Sequence, residues 1–221
     1  MYKIALDGPS GSGKSVMAKA VAKRLNILYV DTGALYRAIG LYIYRCGVDP
    51  TDAEAVAARL SEIDLRLTQS EEGQVVILNG ENVNGDIRLP EISMYASKVS
   101  AIPAVRAFLL DLQRNTARTN NVIMDGRDIG TVIFPDADVK IFLFASDEVR
   151  AKRRYKELLE KGVSTTFEEV LSDMRKRDEN DRTRAIAPAL PAEDAVMLDS
   201  SELNIEETIS AIIGVIEKKI K

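Results

Sequence analysis

Short apolar runs alternate along this chain with longer stretches in which apolar residues recur every third or fourth position. The runs Tyr2-Lys3-Ile4-Ala5-Leu6-Asp7, Ile27-Leu28-Tyr29-Val30, Asn121-Val122-Ile123-Met124-Asp125-Gly126, 139–144 and Ala195-Val196-Met197-Leu198-Asp199 predict buried strands. Helical spacing predicts helices over residues 16–25, 34–46, 90–100 and 147–161, and from Pro103, where proline is tolerated in the first turn; the last of these carries Val105, Leu109 and Leu112 inward and exposes Arg106, Arg114 and Arg118 to varying degrees. The last helix has an isoleucine face of Ile205, Ile209, Ile212, Ile213, Ile216 and Ile220. Two further helix starts read as capping boxes, Thr51 with Glu54 and Thr166 with Glu169. Five strands alternating with helices predict an α/β fold with a parallel sheet covered on both faces.

One segment breaks the alternation. Leu65-Arg66-Leu67-Thr68 alternates in polarity, Val75-Val76-Ile77-Leu78 follows a turn at Gly73, and Asn79-Gly80 is a strong hairpin signal. A small antiparallel meander is therefore expected, inserted over residues 59–98 in a single domain of residues 1–221.

Composition narrows the chemistry. The chain has 221 residues, 46% of them hydrophobic, and a net charge of -4, which suits one α/β domain and argues against a general nucleic-acid coat. Histidine is absent, which removes Ser-His-Asp and Cys-His catalysis and His-ligated metals together. Cys46 is the only cysteine, so no intrachain disulfide forms; its apolar helical setting reads as a small core residue. No apolar run reaches membrane-spanning length and the first residues enter a strand directly, so a soluble, cytoplasmic protein is expected.

The most informative stretch is Gly8-Pro9-Ser10-Gly11-Ser12-Gly13-Lys14-Ser15, which fits the phosphate-loop pattern G-x-x-x-x-G-K-[ST] between a strand and a helix. Glycines let backbone N–H groups turn inward around an anion, and the helix N-terminus adds its positive end. Lys14 would reach the outer phosphates of a nucleoside triphosphate, and the Ser15 hydroxyl is placed for Mg²⁺.

Other polar groups fall beyond the C-terminal ends of the predicted strands, where ligands of such sheets bind. These are Asp31 to Gly33 and Asp125 to Asp128. Asp125 is the natural acid to orient Mg²⁺ or its waters, with Asp7 as the alternative. Arg177, Asp181 and Arg184 fall on one helical face, and Arg150, Arg153 and Arg154 on another. Alone, such runs read as salt-bridged surface; beside a phosphate loop they read as cations for a polyphosphate. A phosphate monoester has a second pKa near ~6 and is already a nucleophile at neutral pH, so it needs cationic clamping rather than a base. A chain without histidine and rich in arginine fits that acceptor better than an alcohol.

The sequence resembles bacterial-type cytidylate kinases from the first strand to the last helix. The resemblance rests on Asp7 to Ser15, on Asp31-Thr32-Gly33-Ala34-Leu35-Tyr36-Arg37, on the specific stretch Asp125-Gly126-Arg127-Asp128-Ile129-Gly130-Thr131-Val132-Ile133-Phe134-Pro135-Asp136-Ala137, on Arg177-Asp178 through Asp181 and Arg184, and on Leu198-Asp199-Ser200-Ser201. It implies a P-loop three-layer α/β/α fold, adenylate-kinase-like, with sheet order 2-3-1-4-5. The inserted meander would cover the monophosphate, and residues 148–184 would form a short helical lid. It implies ATP and CMP giving ADP and CDP, with dCMP also accepted and Mg²⁺ required.

Carried over by position, residues Gly8 to Val16 look like the ATP phosphate site, joined by Arg153 or Arg154 from the lid. Ser97, Arg106 and Asp128 look like the cytosine readers; a carboxylate accepting from the N4 amine is apt, because uracil presents an oxygen there. Arg37 and Arg127 look like the monophosphate clamps. Asp181, with Arg177 and Arg184, looks like the group spanning the ribose and the transferring phosphoryl, and Thr32 stands near the substrate. Family members vary at the position of Ser15, so its Mg²⁺ role rests on the loop pattern. Partners would be small nucleotides, with no nucleic acid or membrane, and the protein a monomer.

Two rival readings exist. A shikimate- or gluconate-type kinase would share the loop and lid but not Gly126-Arg127-Asp128-Ile129-Gly130-Thr131 or the meander. A nucleotide-dependent switch or binding module would show an Asn-Lys-x-Asp or Leu-Ser-Gly-Gly-Gln motif, and neither occurs. Every kinase reading gives Lys14 a transition-state role. Lys14→Ala is therefore expected to cut turnover by about 10²-fold or more with the circular-dichroism spectrum unchanged; near-normal turnover would refute the role.

Overall fold

The computed structural model describes residues 1–70, 73–160 and 162–220. In chain order its elements are β1 (Lys3–Asp7), α1 (Lys14–Leu25), β2 (Leu28–Asp31), α2 (Thr32–Arg45), α3 (Ala53–Arg59), β3 (Leu65–Ser70), β4 (Gly73–Leu78), β5 (Glu81–Asn82), α4 (Pro90–Val99), α5 (Pro103–Asn115), β6 (Val122–Gly126), β7 (Val139–Phe144), α6 (Asp147–Glu160), α7 (Phe167–Thr183), β8 (Val196–Asp199) and α8 (Ile205–Lys219). The chain forms two compact units: residues 1–28 with 120–221, and residues 29–119.

The principal sheet has the order β2–β6–β1–β7–β8, which is 2-3-1-4-5 when its strands are numbered alone. β1 pairs in parallel with β6 and β7, and β7 with β8. Strands buried on both faces must be apolar throughout, and Ile4, Ala5, Leu6, Val122, Ile123 and Met124 are fully buried. α1 and α8 pack against each other and against the sheet. The isoleucine face of α8 is narrower than its spacing predicts. Ile209, Ile212 and Ile216 are buried, but Ile205 is 56% exposed, because it stands at the first helical position beside the Asn204 cap. α6 and α7 pair through Ala151, Val170 and Met174. The capping box of Thr166 with Glu169 forms as expected. The expected end of α6 at Lys161 lies outside the described residues.

The smaller unit holds the antiparallel sheet β3–β4–β5, turned at Asn79-Gly80. Leu35, Ile39, Ile92, Val105 and Leu109 form its core with Val76 and Leu78 of β4. Three local expectations fail here. α3 is capped by Asp52, whose carboxylate accepts from the Ala55 N–H at 3.0 Å, while the Thr51 hydroxyl donates to Asp49 at 2.8 Å. The Asp49-Pro50 turn captures Thr51 before it can cap. Cys46 is exposed rather than core: α2 ends at Arg45, so the buried series Leu35, Ile39, Ile43 does not continue to it. Arg106, expected to be exposed to some degree on α5, is buried.

Gly8 shows why the strand must end as it does. Its φ is +152°, and a Cβ there would lie 2.0 Å from the Leu143 carbonyl oxygen of β7. Gly8→Ala is expected to force β1 and β7 apart and to lower stability by about 3 kcal/mol or more in urea unfolding; a wild-type midpoint would show that the strands tolerate the side chain.

Candidate active site

The phosphate loop leaves β1 at Gly8 and enters α1 at Lys14. Gly13 holds the helix start with φ +86°, a left-handed turn that glycine takes without steric penalty. Lys14 is only 6% exposed. Its ammonium donates to the Pro9 carbonyl at 2.8 Å and more weakly to Ser12 Oγ at 3.5 Å. Burial pulls its pKa down to about 7, and the nearby Arg127 pulls the same way; Asp125 and Asp7 oppose them. A buried cation crowded by other cations is the electrostatic condition of a site built to receive an anion.

On the acidic side, the Ser15 hydroxyl donates to Asp125 Oδ2 at 2.6 Å. Asp125 is buried at the end of β6. The hydroxyl beside a carboxylate is a hard-oxygen pair that suits Mg²⁺. Asp7 is engaged otherwise. Its two carboxylate oxygens accept the N–H groups of Ile129 at 2.9 Å and Gly130 at 2.8 Å. Burial pushes its pKa up to about 6 even against those two bonds. Of the two acids considered for a metal, Asp125 is the one bonded to Ser15.

The arginines of the larger unit divide into two groups. Arg127 Nε donates to Asp181 at 3.1 Å, and Arg184 donates to Asp128 at 3.3 Å and to the Ala187 carbonyl at 2.6 Å. Arg177 is half-buried and close enough to Lys14 to lower its pKa. Arg184 follows the last turn of α7 with non-helical dihedrals, so it reaches Asp128 from a bend and not from a continued helix. Arg153 and Arg154 bond elsewhere: Arg153 to the Ser200 carbonyl at 2.7 Å, Arg154 to Glu157 at 2.8 Å. Val16, on the first turn of α1, is exposed.

The residue of α6 that reaches the loop is Arg150, which is buried, and not Arg153 or Arg154, which the resemblance assigned to ATP. It donates to the Ser10 carbonyl at 2.7 Å and pairs with Asp178 of α7. Asp178 in turn accepts the Ser10 N–H at 3.0 Å. Both peptide groups of Ser10 are thus held by one ion pair. Sequence reading missed this clamp because helical spacing puts Arg150, Arg153 and Arg154 together and cannot say which one turns inward. A cleft of about 470 Å³ opens here, lined by Pro9, Arg127, Arg150, Asp178 and Asp181 among others. A larger hollow on α7, about 570 Å³, is lined by Glu168, Glu169 and Asp173, the wrong charge for a nucleotide.

In the smaller unit, Arg37 donates to Asp31 at 2.7 Å, and the same carboxylate caps α2 through the Ala34 N–H at 3.0 Å. Gln74 of β4 bonds both backbone groups of Asp31. Thr32 is buried at the start of α2. Arg106 lies over the Tyr36 ring at 5.6 Å and donates to the Ser100 carbonyl at 3.2 Å. Ser97 is half-buried on α4, its carbonyl accepting from the Ser100 hydroxyl at 2.8 Å.

A five-stranded parallel sheet that turns through a phosphate loop into a helix, with a buried lysine heading that helix, defines a P-loop phosphate-binding enzyme fold. The chain belongs to the cytidylate kinase family, which it matches over residues 4–218. It is 47% identical to a cytidylate kinase of Thermosipho melanesiensis over 99% of this chain and 98% of that one. It is 45% identical to a cytidylate kinase of Carboxydothermus hydrogenoformans over 98% of each. Among solved structures, an uncharacterized protein from Eubacterium ventriosum aligns with a TM-score of 0.52 at 14% identity, over 98% of this chain and 99% of that one; this likeness concerns the fold alone.

The depressed pKa of Lys14 has a measurable consequence. Between its folded value, about 7, and the ordinary 10.5, the unfolded chain binds a proton that the folded chain does not. Stability therefore rises with pH above 7. In urea titrations from pH 7 to 9, wild type is expected to gain on the order of 1 kcal/mol per pH unit relative to Lys14→Met; parallel pH profiles would mean that Lys14 stays charged in the nucleotide-free protein.

Proposed function

We propose that the chain transfers the γ-phosphoryl group of ATP to CMP, and also to dCMP, giving ADP with CDP or dCDP. The observation that carries the reading is the pair of ion pairs Arg127–Asp181 and Arg184–Asp128 beside the buried Lys14, in a member of the cytidylate kinase family. The family match does not favour an alcohol kinase or a nucleotide switch.

The acceptor is an anion, so the problem is bringing two anions together. A phosphate oxygen of CMP attacks the γ-phosphorus, the bond from that phosphorus to the bridging oxygen breaks, and ADP leaves with the electron pair. No proton needs to move. Lys14 and the loop amides hold the donor; Arg37 and Arg127 hold the CMP phosphate; Arg177 and Arg184, with Asp181, span the ribose and the transferring group. Asp128, Ser97 and Arg106 read cytosine, and Thr32 lies near it. The residues 59–98 insertion covers the monophosphate, and residues 148–184 act as the lid that brings Arg153 or Arg154 to ATP. Ser15, with Asp125 behind it, would hold Mg²⁺, which neutralises phosphate charge when bound. Arg37, Arg127 and Arg184 each pair with a carboxylate, so substrate phosphates would compete there with existing partners rather than with bulk water. We place this activity in a cytoplasmic monomer.

Initial rates of ADP release with ATP against a panel of nucleoside monophosphates and sugar alcohols test the reading. CMP and dCMP are expected to be the best acceptors; no turnover with any pyrimidine monophosphate would overturn it. Asp128→Ala is expected to raise the KM for CMP by about tenfold or more while leaving ATP binding within about twofold. Equal loss of both would remove Asp128 from base reading.

A further inference from the structure

We propose that Asp7 is a positioning residue for acceptor selection, acting through the peptide that follows Asp128. This rests on the reading of Asp128 as the cytosine reader and deepens it. Asp7 is the last residue of β1 and sits immediately before the phosphate loop. Both its carboxylate oxygens are taken up by consecutive N–H groups, Ile129 at 2.9 Å and Gly130 at 2.8 Å. The Ile129 N–H belongs to the peptide unit that joins it to Asp128, so the first bond fixes the orientation of the Asp128 carbonyl. That carbonyl accepts from Val132 at 2.9 Å and Ile133 at 3.3 Å, closing a single π-turn over Ile129–Ile133. Asp128 itself is neither helical nor extended, with φ −145° and ψ 28°. No sheet ladder or helix sets its backbone; the Asp7 bonds and the turn they anchor do.

The chemistry of the latch calls for an ionised carboxylate. Two parallel N–H donors converge on it, so each oxygen must accept and neither can carry a proton toward its donor. An isosteric amide cannot replace it, because its NH₂ would face an N–H. The second donor must be close to the carboxylate, and it comes from a glycine: a Cβ at Gly130 would lie 3.4 Å from Asp7 Oδ2 and 3.2 Å from the Lys140 side chain. The charged groups acting on Asp7 are Asp128 and Lys14. Asp7, buried at the end of β1, therefore ties the strand that leads into the donor loop to the backbone of the acceptor reader.

The test is a double-mutant cycle of Asp7→Asn with Asp128→Asn, read as kcat and KM for CMP, UMP and ATP. Asp7→Asn is expected to raise the KM for CMP about tenfold and to shrink the CMP-over-UMP preference, with kcat within about threefold and the KM for ATP within about twofold. In the Asp128→Asn background the same substitution should add nothing to the loss of preference. Additive losses, equal losses for ATP and CMP, or a lowered Tm with unchanged constants would overturn the proposal. Unchanged preference in Asp128→Asn alone would instead sink the base-reading assignment, and the latch with it. If Asp7→Asn does not fold, hydrogen exchange in wild type decides. The Ile129 and Gly130 amides should exchange slowly, and CMP should slow them further where ADP does not; fast exchange would overturn the latch.

Discussion

The parallel pairing of β1 with β6 sets everything around it. Its register puts Leu6 opposite Asp125 and Asp7 opposite Gly126. Parallel strands end on the same side, so the loop after β1 and the segment after β6 leave the sheet as neighbours. From that one constraint follow the bond from Ser15 to Asp125 and the latch from Asp7 to Ile129 and Gly130. Neither depends on a long or flexible connection. The strands are buried on both faces, so a slip in register would leave ladder groups unpaired in an apolar interior.

The second organising feature is a set of arginines already paired with carboxylates. Arg127 holds Asp181, Arg184 holds Asp128, Arg37 holds Asp31 and Arg150 holds Asp178. Partial burial makes an unpaired charge costly, so a site that must receive several phosphates keeps its arginines on carboxylates in the meantime. Lys14 is the exception: the carboxylates near it do not outweigh burial and the repulsion of Arg127, and its pKa falls. Histidine, absent from the chain, is not needed where the acceptor is already a dianion.

Much of this was legible in the sequence, for a definite reason. Strand and helix follow from local periodicity, and the phosphate loop is a contiguous motif whose glycines and lysine act through their own backbone and side chain. The five sheet strands, the hairpin at Asn79-Gly80 and the box at Thr166 were all local signals. The errors were local signals overridden by a neighbour. Thr51 lost its cap to the Asp49 turn, and the periodicity that placed Cys46 in the core stopped one residue short of it. Arg106 reads as an exposed charge on an amphipathic helix, yet it lies buried over Tyr36.

By itself the sequence determined the fold class, the phosphate loop and the family, because each is written in contiguous or regularly spaced residues. Only the tertiary structure decided which charges meet. Asp7 and Gly130 are separated by 123 positions, and Ser10 and Asp178 by 168. No periodicity links such pairs; the sheet order and the packing of α6 on α7 bring them within hydrogen-bond range. The same holds for the choice among Arg150, Arg153 and Arg154. Helical spacing makes them neighbours, but burial against Ala145 and Ser10 turns only Arg150 inward, while Arg153 goes to Ser200 and Arg154 to Glu157.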